Sequence, residues 1–184
     1  MCSSDLACDI SEARLNAMRR GFARDPLTTK IHCVHADATD LPFRNDFDLI
    51  LCDVPCSGTG TLARNPEIKL RLAVSDLRRQ QERQIAILRS AYRVLALRGR
   101  LVYSTCSLEP EENAMVVETF LASEPTARLL DAGERLAAME AERSLHGDGA
   151  KLLRERALRD DGCLQTLPGI LLCDGFFAAI LTRQ

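Results

Sequence analysis

Tryptophan is missing from this chain and aromatic residues make up only 4% of it, which leaves few stacking platforms for single-stranded nucleic acid. Histidine is scarce too, with three in 184 residues, and the eight cysteines form no Cys-x-x-Cys pair. That combination argues against zinc, which takes closely spaced Cys and His ligands, and no metal is expected. No run approaches the ~18 apolar residues of a membrane span, so no membrane partner is expected. The opening MCSSDLACDI lacks the basic-then-apolar order of an export signal. The expectation is a cytoplasmic setting with reduced thiols, in which Cys8, Cys33, Cys52 and Cys173 read as small buried hydrophobes. With a net charge of only −2, the chain as a whole does not attract polyanions.

What is present is ordinary globular composition, 46% hydrophobic and 27% charged. The length suits a single domain, 1–184, with a real core. Charge is uneven: between Arg64 and Arg100 ten Lys or Arg stand against three acids, +7 in all. Such a segment is either a solvated helix face or a surface that meets phosphates.

Apolar runs and helical patterns alternate along the chain. Leu6–Ile10 is a short strand with Asp9 near its end; a helix follows over 11–20, with Ser11 as its N-cap and Gly21 as its C-cap. Residues 30–35 form a second strand leading to Asp37, and 47–52 a continuous apolar strand ending in Asp53, of the kind found in sheets covered on both faces. Residues 75–98 carry an apolar stripe through Leu77, Gln81, Ile85, Leu88, Tyr92 and Leu95, with Ser75 as cap and Gly99 as stop. A strand over 100–104 precedes a helix opened by Glu109–Asn113, whose first-turn acids suit the helix dipole. Residues 124–162 give no clear arrangement. At the end, Asp174–Gly175 divides 170–173 from 176–181, a tight turn between antiparallel strands or a bulge in one strand. The whole predicts a doubly wound, Rossmann-like α/β sheet closed by an antiparallel C-terminal hairpin.

In such sheets ligands sit beyond the carboxyl ends of the parallel strands, where Asp9, Asp37, Asp53 and Cys106 all fall. An acid in the position of Asp9 takes ribose hydroxyls, and one in the position of Asp37 can reach an adenine amino group; the alternative for each is a helix or turn cap. The loop DVPCSGTG (53–60) places Cys56 among small residues, and YSTCS (103–107) does the same for Cys106. A thiol stands where amine methyltransferases carry an aromatic ring, which points away from amine chemistry. Cytosine carbon 5 becomes nucleophilic only after a thiolate adds at carbon 6. That chemistry asks for an attacking cysteine, an acid near ring nitrogen 3 or the exocyclic amine, and a group that assists release. Cys106, Asp53 and Cys56 offer these groups.

DVPCSGTG, RNPEIK (64–69), YSTCSLEPEEN (103–113) and DGFFAAIL (174–181) together resemble the catalytic domain of NOL/NOP/Sun-type RNA cytosine-C5 methyltransferases. ACDISEARL (7–15) resembles that family's acidic second motif and the Asp37 region its third. The resemblance implies Cys106 as nucleophile and Cys56 as helper in product release. It implies S-adenosylmethionine as cofactor and RNA, ribosomal RNA foremost, as partner. Asp9, Asp37 and Asp53 would line the cofactor and the target base, and Arg64 and Lys69 would lie near the RNA. The family's Gly-rich cofactor loop and first strand are not found ahead of Ala7, so the chain is expected to be an N-terminally incomplete domain with its first strand missing. Two alternatives stay open: a truncated remnant that binds RNA or a partner without catalysis, and a DNA cytosine methyltransferase that attacks through Cys56.

Overall fold

A computed structural model describes residues 5–24, 28, 30–44, 46–145 and 147–184; Cys2 lies outside them. The chain folds as the expected α/β alternation. Strand β1 (Asp5–Asp9) leads into helix α1 (Glu12–Phe22) and strand β2 (Ile31–His35). Strand β3 (Phe47–Asp53), a short helix α2 (Ile68–Arg71), the long helix α3 (Val74–Arg93) and strand β4 (Leu95–Thr105) follow. Helix α4 (Ala114–Ser123), strand β5 (Ala127–Leu130), helices α5 (Ala132–Ala141) and α6 (Gly147–Arg156), and strands β6 (Leu164–Thr166) and β7 (Phe176–Arg183) complete it. The 124–162 region, silent in the sequence, thus supplies one strand and two helices. No described helix is long and apolar enough to cross a membrane.

Pairing divides the strands into two pieces. β1 and β2 pair in parallel, and β3, β4, β7 and β5 form the larger sheet, with β6 also on β7. β3 and β4 are parallel, whereas β7 runs antiparallel to β4, β5 and β6. The core lies where α3 and α4 cover this sheet: Leu88, Leu95, Leu101, Tyr103, Val116, Phe120, Phe177 and Leu181 are all fully buried. Phe120 meets Tyr92 edge-on at 5.2 Å between ring centroids, a favoured aromatic geometry.

Several local expectations shift. α3 begins at Val74 rather than Ser75, because the Asp76 carboxylate reaches back to accept the Ala73 N–H at 3.0 Å. It ends at Arg93, not Gly99. Val94–Leu97 is apolar enough to enter the sheet, and the Val94 carbonyl accepts the Phe47 N–H at 2.8 Å. Gly99 is instead part of an irregularity in β4, beside Arg98 at φ 63°; a β-carbon on it would crowd the Ala96 carbonyl oxygen at 2.8 Å. α1 is capped by Ser11 as expected but runs through Gly21 to Phe22. The C-terminal hairpin is made by β6 and β7, and 170–173 is not its first strand: Pro168 and Gly169 (φ 88°) turn the chain, with Ile170 and Leu171 N–H groups returning to the Leu167 carbonyl. The apolar β3 run does not lie between two covered faces among the described residues. Cys52 is buried, but Leu49 and Leu51 are 66% and 69% exposed.

Candidate functional site

The parallel register of β3 and β4 sets Asp53 opposite Ser104, so the loops leaving both strands rise side by side. The Cys56 and Cys106 sulfurs come to 3.3 Å. Each loop is held by its own buried group. Glu112, fully buried, accepts the Ser57 N–H at 2.8 and 3.1 Å through its two oxygens and the Ser57 hydroxyl at 2.5 Å. Gln84 on α3 donates its amide to the Pro55 carbonyl at 2.9 Å and to Glu112 at 3.2 Å. Its Oε1 then has no partner among the described residues. An orphaned buried acceptor costs about 1–3 kcal/mol, and turning the amide over would set that oxygen against a carboxylate.

On the Cys106 side, Asn113 accepts the Thr105 hydroxyl at 2.6 Å and donates to the Ser107 carbonyl at 2.9 Å, so it spans the cysteine. The two loops are also laced to each other. The Gly60 N–H donates to the Cys106 carbonyl at 2.9 Å, the Gly175 N–H to the Gly60 carbonyl at 2.8 Å, and the Leu108 N–H to the Thr59 hydroxyl at 2.9 Å. Gly58 sits at φ 75°, a left-handed conformation that costs other residues about 1–2 kcal/mol. Burial, and then the neighbouring Cys106 thiol, push the Cys56 thiol up to about 12. Cys56 therefore stays protonated at neutral pH, and either sulfur can be the donor across the 3.3 Å contact.

The acids occupy the predicted strand ends but are not joined to the thiols by any hydrogen bond among the described residues. Asp9 ends β1 and accepts the Arg14 guanidinium at 2.7 and 2.8 Å and the Ser11 N–H at 2.7 Å; Arg14 holds its carboxyl below the usual range. Asp37 takes the Thr39 N–H at 2.9 Å and hydroxyl at 2.8 Å, a turn-capping pose that also lowers its carboxyl. Asp53 is exposed and has no side-chain bond among the described residues. Arg64 is ion-paired with Asp174, and Lys69 stands exposed on α2. Within the +7 segment, Arg71 pairs with Glu67, Arg79 with Asp76, and Arg93 with Asp40. Its Arg and Lys side chains are exposed, so the solvated-face reading accounts for part of that charge.

Sequence reasoning missed Glu112, Asn113, Gln84 and Ser57. Glu112 and Asn113 read there as the polar start of a helix. Their one available signal was adjacency to the Cys106 motif, inside the quoted YSTCSLEPEEN.

Residues 3–182 match the family model described as 16S rRNA methyltransferase RsmB/F. Ribosomal RNA small subunit methyltransferase B of Vibrio cholerae is 34% identical over 183 residues, covering 99% of this chain and 36% of that protein. The tRNA (cytosine(34)-C(5))-methyltransferase of Drosophila melanogaster is 34% identical over 175 residues, covering 75% of this chain and 23% of that one. Among solved structures, NSun6 from Pyrococcus horikoshii with SFG superposes with a TM-score of 0.75 at 25% identity, over 97% of this chain and 41% of that one. A methyltransferase homologue from the same organism gives 0.73 at 26% identity, over 97% and 53%. The chain thus spans about a third of the length of the Vibrio relative. With a family model matched over almost every residue and both thiol loops of that resemblance side by side, the chain belongs to the RsmB/F family of 16S rRNA methyltransferases.

Proposed function

We propose that this chain is the catalytic part of an enzyme that methylates carbon 5 of cytosine in RNA, with ribosomal RNA as substrate, in the cytoplasm. The observation that carries the proposal is the 3.3 Å approach of Cys56 and Cys106. In a family of RNA methyltransferases, two thiols in contact at neighbouring strand ends suit a reaction with one covalent bond to make and later break.

Cys106 is the nucleophile. Its sulfur adds to carbon 6 of the cytosine, and Asp53, exposed at the end of β3, holds the ring nitrogen 3 or exocyclic amine edge as electron density moves to carbon 5. S-adenosylmethionine, when bound, supplies the electrophilic methyl group that carbon 5 takes. The carbon 5 proton then passes to a solvent water, its bonding pair restores the double bond between carbon 5 and carbon 6, and the Cys106 sulfur departs with the pair of the broken carbon–sulfur bond. Cys56 assists at this stage, since its sulfur lies against the leaving one and exchanges a proton with it.

The carboxylates suit the cofactor in type. A carboxylate offers about four acceptor sites; Asp9 uses three and Asp37 two on protein partners. Each keeps acceptor capacity for ribose hydroxyls or an adenine amino group. Arg64 and Lys69 line the approach of the RNA. β3 is an edge strand of its sheet among the described residues, and Leu49 and Leu51 leave one of its faces apolar and uncovered, which suits a surface packed against a further element.

Trapping on RNA containing 5-fluorocytosine tests the reading. Fluorine at carbon 5 blocks the elimination, so the wild-type protein should form a stable adduct in the presence of cofactor. Cys106→Ala should form none, and Cys56→Ala should accumulate adduct even on ordinary RNA. An adduct through Cys56, or one on DNA but not RNA, would overturn it.

A further inference from the structure

Glu112 and Asn113 follow one another in the chain, yet each secures a different cysteine loop. The geometry points to this dipeptide as the positioning device that sets the separation of the two thiols, a role that rests on the cytosine methyltransferase reading. Glu112 closes the 3-10 turn Pro110–Glu112 and Asn113 leads into α4. Asn113 has φ −115° and ψ −106°, outside the helical basin, and the bend between turn and helix directs successive side chains inward to different loops.

Glu112 holds the residue after Cys56 by backbone and side chain, and Gln84 ties the residue before it to the same carboxylate. Asn113 grips the residues on either side of Cys106. The frame beneath them is stiff. Tyr103 donates to the Glu112 carbonyl at 2.6 Å from inside β4, and its ring is fully buried. Ser107 then bridges the two loops, with its hydroxyl 3.1 Å from that of Ser57 and 3.3 Å from that of Thr59. Glu112 and Asn113 are both buried, and their side-chain hydrogen bonds go to residues beside the thiols rather than to the sulfurs. Their effect on the reaction passes through the loops they hold.

The separation of the thiols can be read without any methyl transfer. Phenylarsine oxide bridges two thiols that stand within reach of one arsenic, forming two S–As bonds and releasing water. Its reaction with the full chain, followed by peptide mass spectrometry, reports the Cys56–Cys106 bridge apart from the other cysteines. The wild type should bridge readily. Glu112→Gln and Asn113→Ala should bridge more slowly by about tenfold or more, as expected when reacting atoms are displaced. Asn113→Asp, which keeps the acceptor for Thr105, should recover part of the rate. Phe120→Leu weakens the core at the Tyr92 ring without removing a hydrogen bond to either cysteine loop and should bridge at the wild-type rate, which separates positioning from general destabilisation. In methylation assays, the positioning variants should lose kcat with KM little changed.

If Glu112→Gln or Asn113→Ala does not fold, Ser57→Ala and Thr105→Val remove the far ends of the same bonds and should slow bridging alike. Wild-type bridging rates in the folded variants, or failure of the wild type to bridge, would overturn the inference. A wild type that bridges but never forms an adduct with RNA would sink the methylation reading, while the comparison of variants would still support the positioning of the thiols.

Discussion

Replacing Gly60 with alanine is the sharpest test of how the two cysteine loops are joined. A β-carbon at this position would overlap the Gly175 carbonyl oxygen and lie 2.7 Å from the Gly175 carbonyl carbon and 2.8 Å from the Cys106 carbonyl oxygen. All three are backbone atoms, so no side chain can swing aside. The three segments must separate, and two hydrogen bonds go with them: Gly60 N–H to Cys106 at 2.9 Å and Gly175 N–H to Gly60 at 2.8 Å. At about 1 kcal/mol net for each bond, with about 1–3 kcal/mol for forcing a methyl group into a packed site, the loss sums to roughly 3–5 kcal/mol. Gly21, in α1, is the control. A β-carbon there meets nothing within 4 Å, and alanine should stabilise the helix by about 0.5–1 kcal/mol. Urea unfolding followed by circular dichroism measures both. Because the displaced carbonyl belongs to Cys106, Gly60→Ala should also slow adduct formation on 5-fluorocytosine RNA. A loss below about 1 kcal/mol would show that the loops are not packed against each other as described, and would refute the reasoning.

Other predictions rest on single groups. In native alkylation at pH 8, exposed Cys173 should label first, and buried Cys52 and Cys163 should resist until the chain unfolds. Burial pushes Cys52 up to about 12, against about 8.5 for a free thiol; between those values the native state holds a proton that the unfolded chain releases. Stability measured by urea titration should therefore fall as pH rises above about 9, and Cys52→Ala should flatten the fall. Arg14→Ala should return the Asp9 carboxyl toward its ordinary range in an NMR titration. Because that carboxyl is depressed in the folded state, its contribution is present above the unfolded value and lost as pH falls through the folded one. The pair is exposed on the arginine side, so the loss of stability at neutral pH should be small. Phe120→Ala should cost about 3–5 kcal/mol, since the ring is fully buried against Tyr92.

The strands and both thiols were legible because they depend on local pattern. An apolar run ending in an acid gives a strand with a carboxylate at its end, and β1, β2 and β3 formed nearly where the sequence placed them. What failed depended on distant partners. Residues 95–98 continue a helical stripe, yet Leu95 is opposite Phe47 in the sheet, and burial on β3 outweighs helix propensity there. Residues 170–173 have strand composition, but Pro168 and Gly169 curl the chain and leave Leu172 fully exposed. In the sequence Glu112 is one of several acids in the first turn of a helix. Nothing local reveals that Ser57, 55 residues away, turns its N–H and hydroxyl toward it.

The division of the sheet bears on how catalysis would be assembled. The hydrogen bonds described around Cys56 and Cys106 come from β4, α3, the turn before α4 and the residue ahead of β7. Asp9 and Asp37 belong to the β1–β2 piece. That piece meets the rest through the segment after Asp37, where the Leu41 N–H donates to buried Ser90 at 2.8 Å and Arg93 reaches Asp40 at 3.0 Å and the Leu41 carbonyl at 3.1 Å. Ala38 and Leu41 pack on the main core beside these bonds. The thiol pair can therefore keep its geometry independently of β1–β2, whereas the position of the carboxylates relative to the thiols depends on Ser90 and Arg93. Ser90→Ala with Arg93→Ala should leave the Cys56–Cys106 bridge by phenylarsine oxide intact and weaken cofactor affinity. Coupled loss of both would mean that the two pieces behave as one unit and that this separation is wrong.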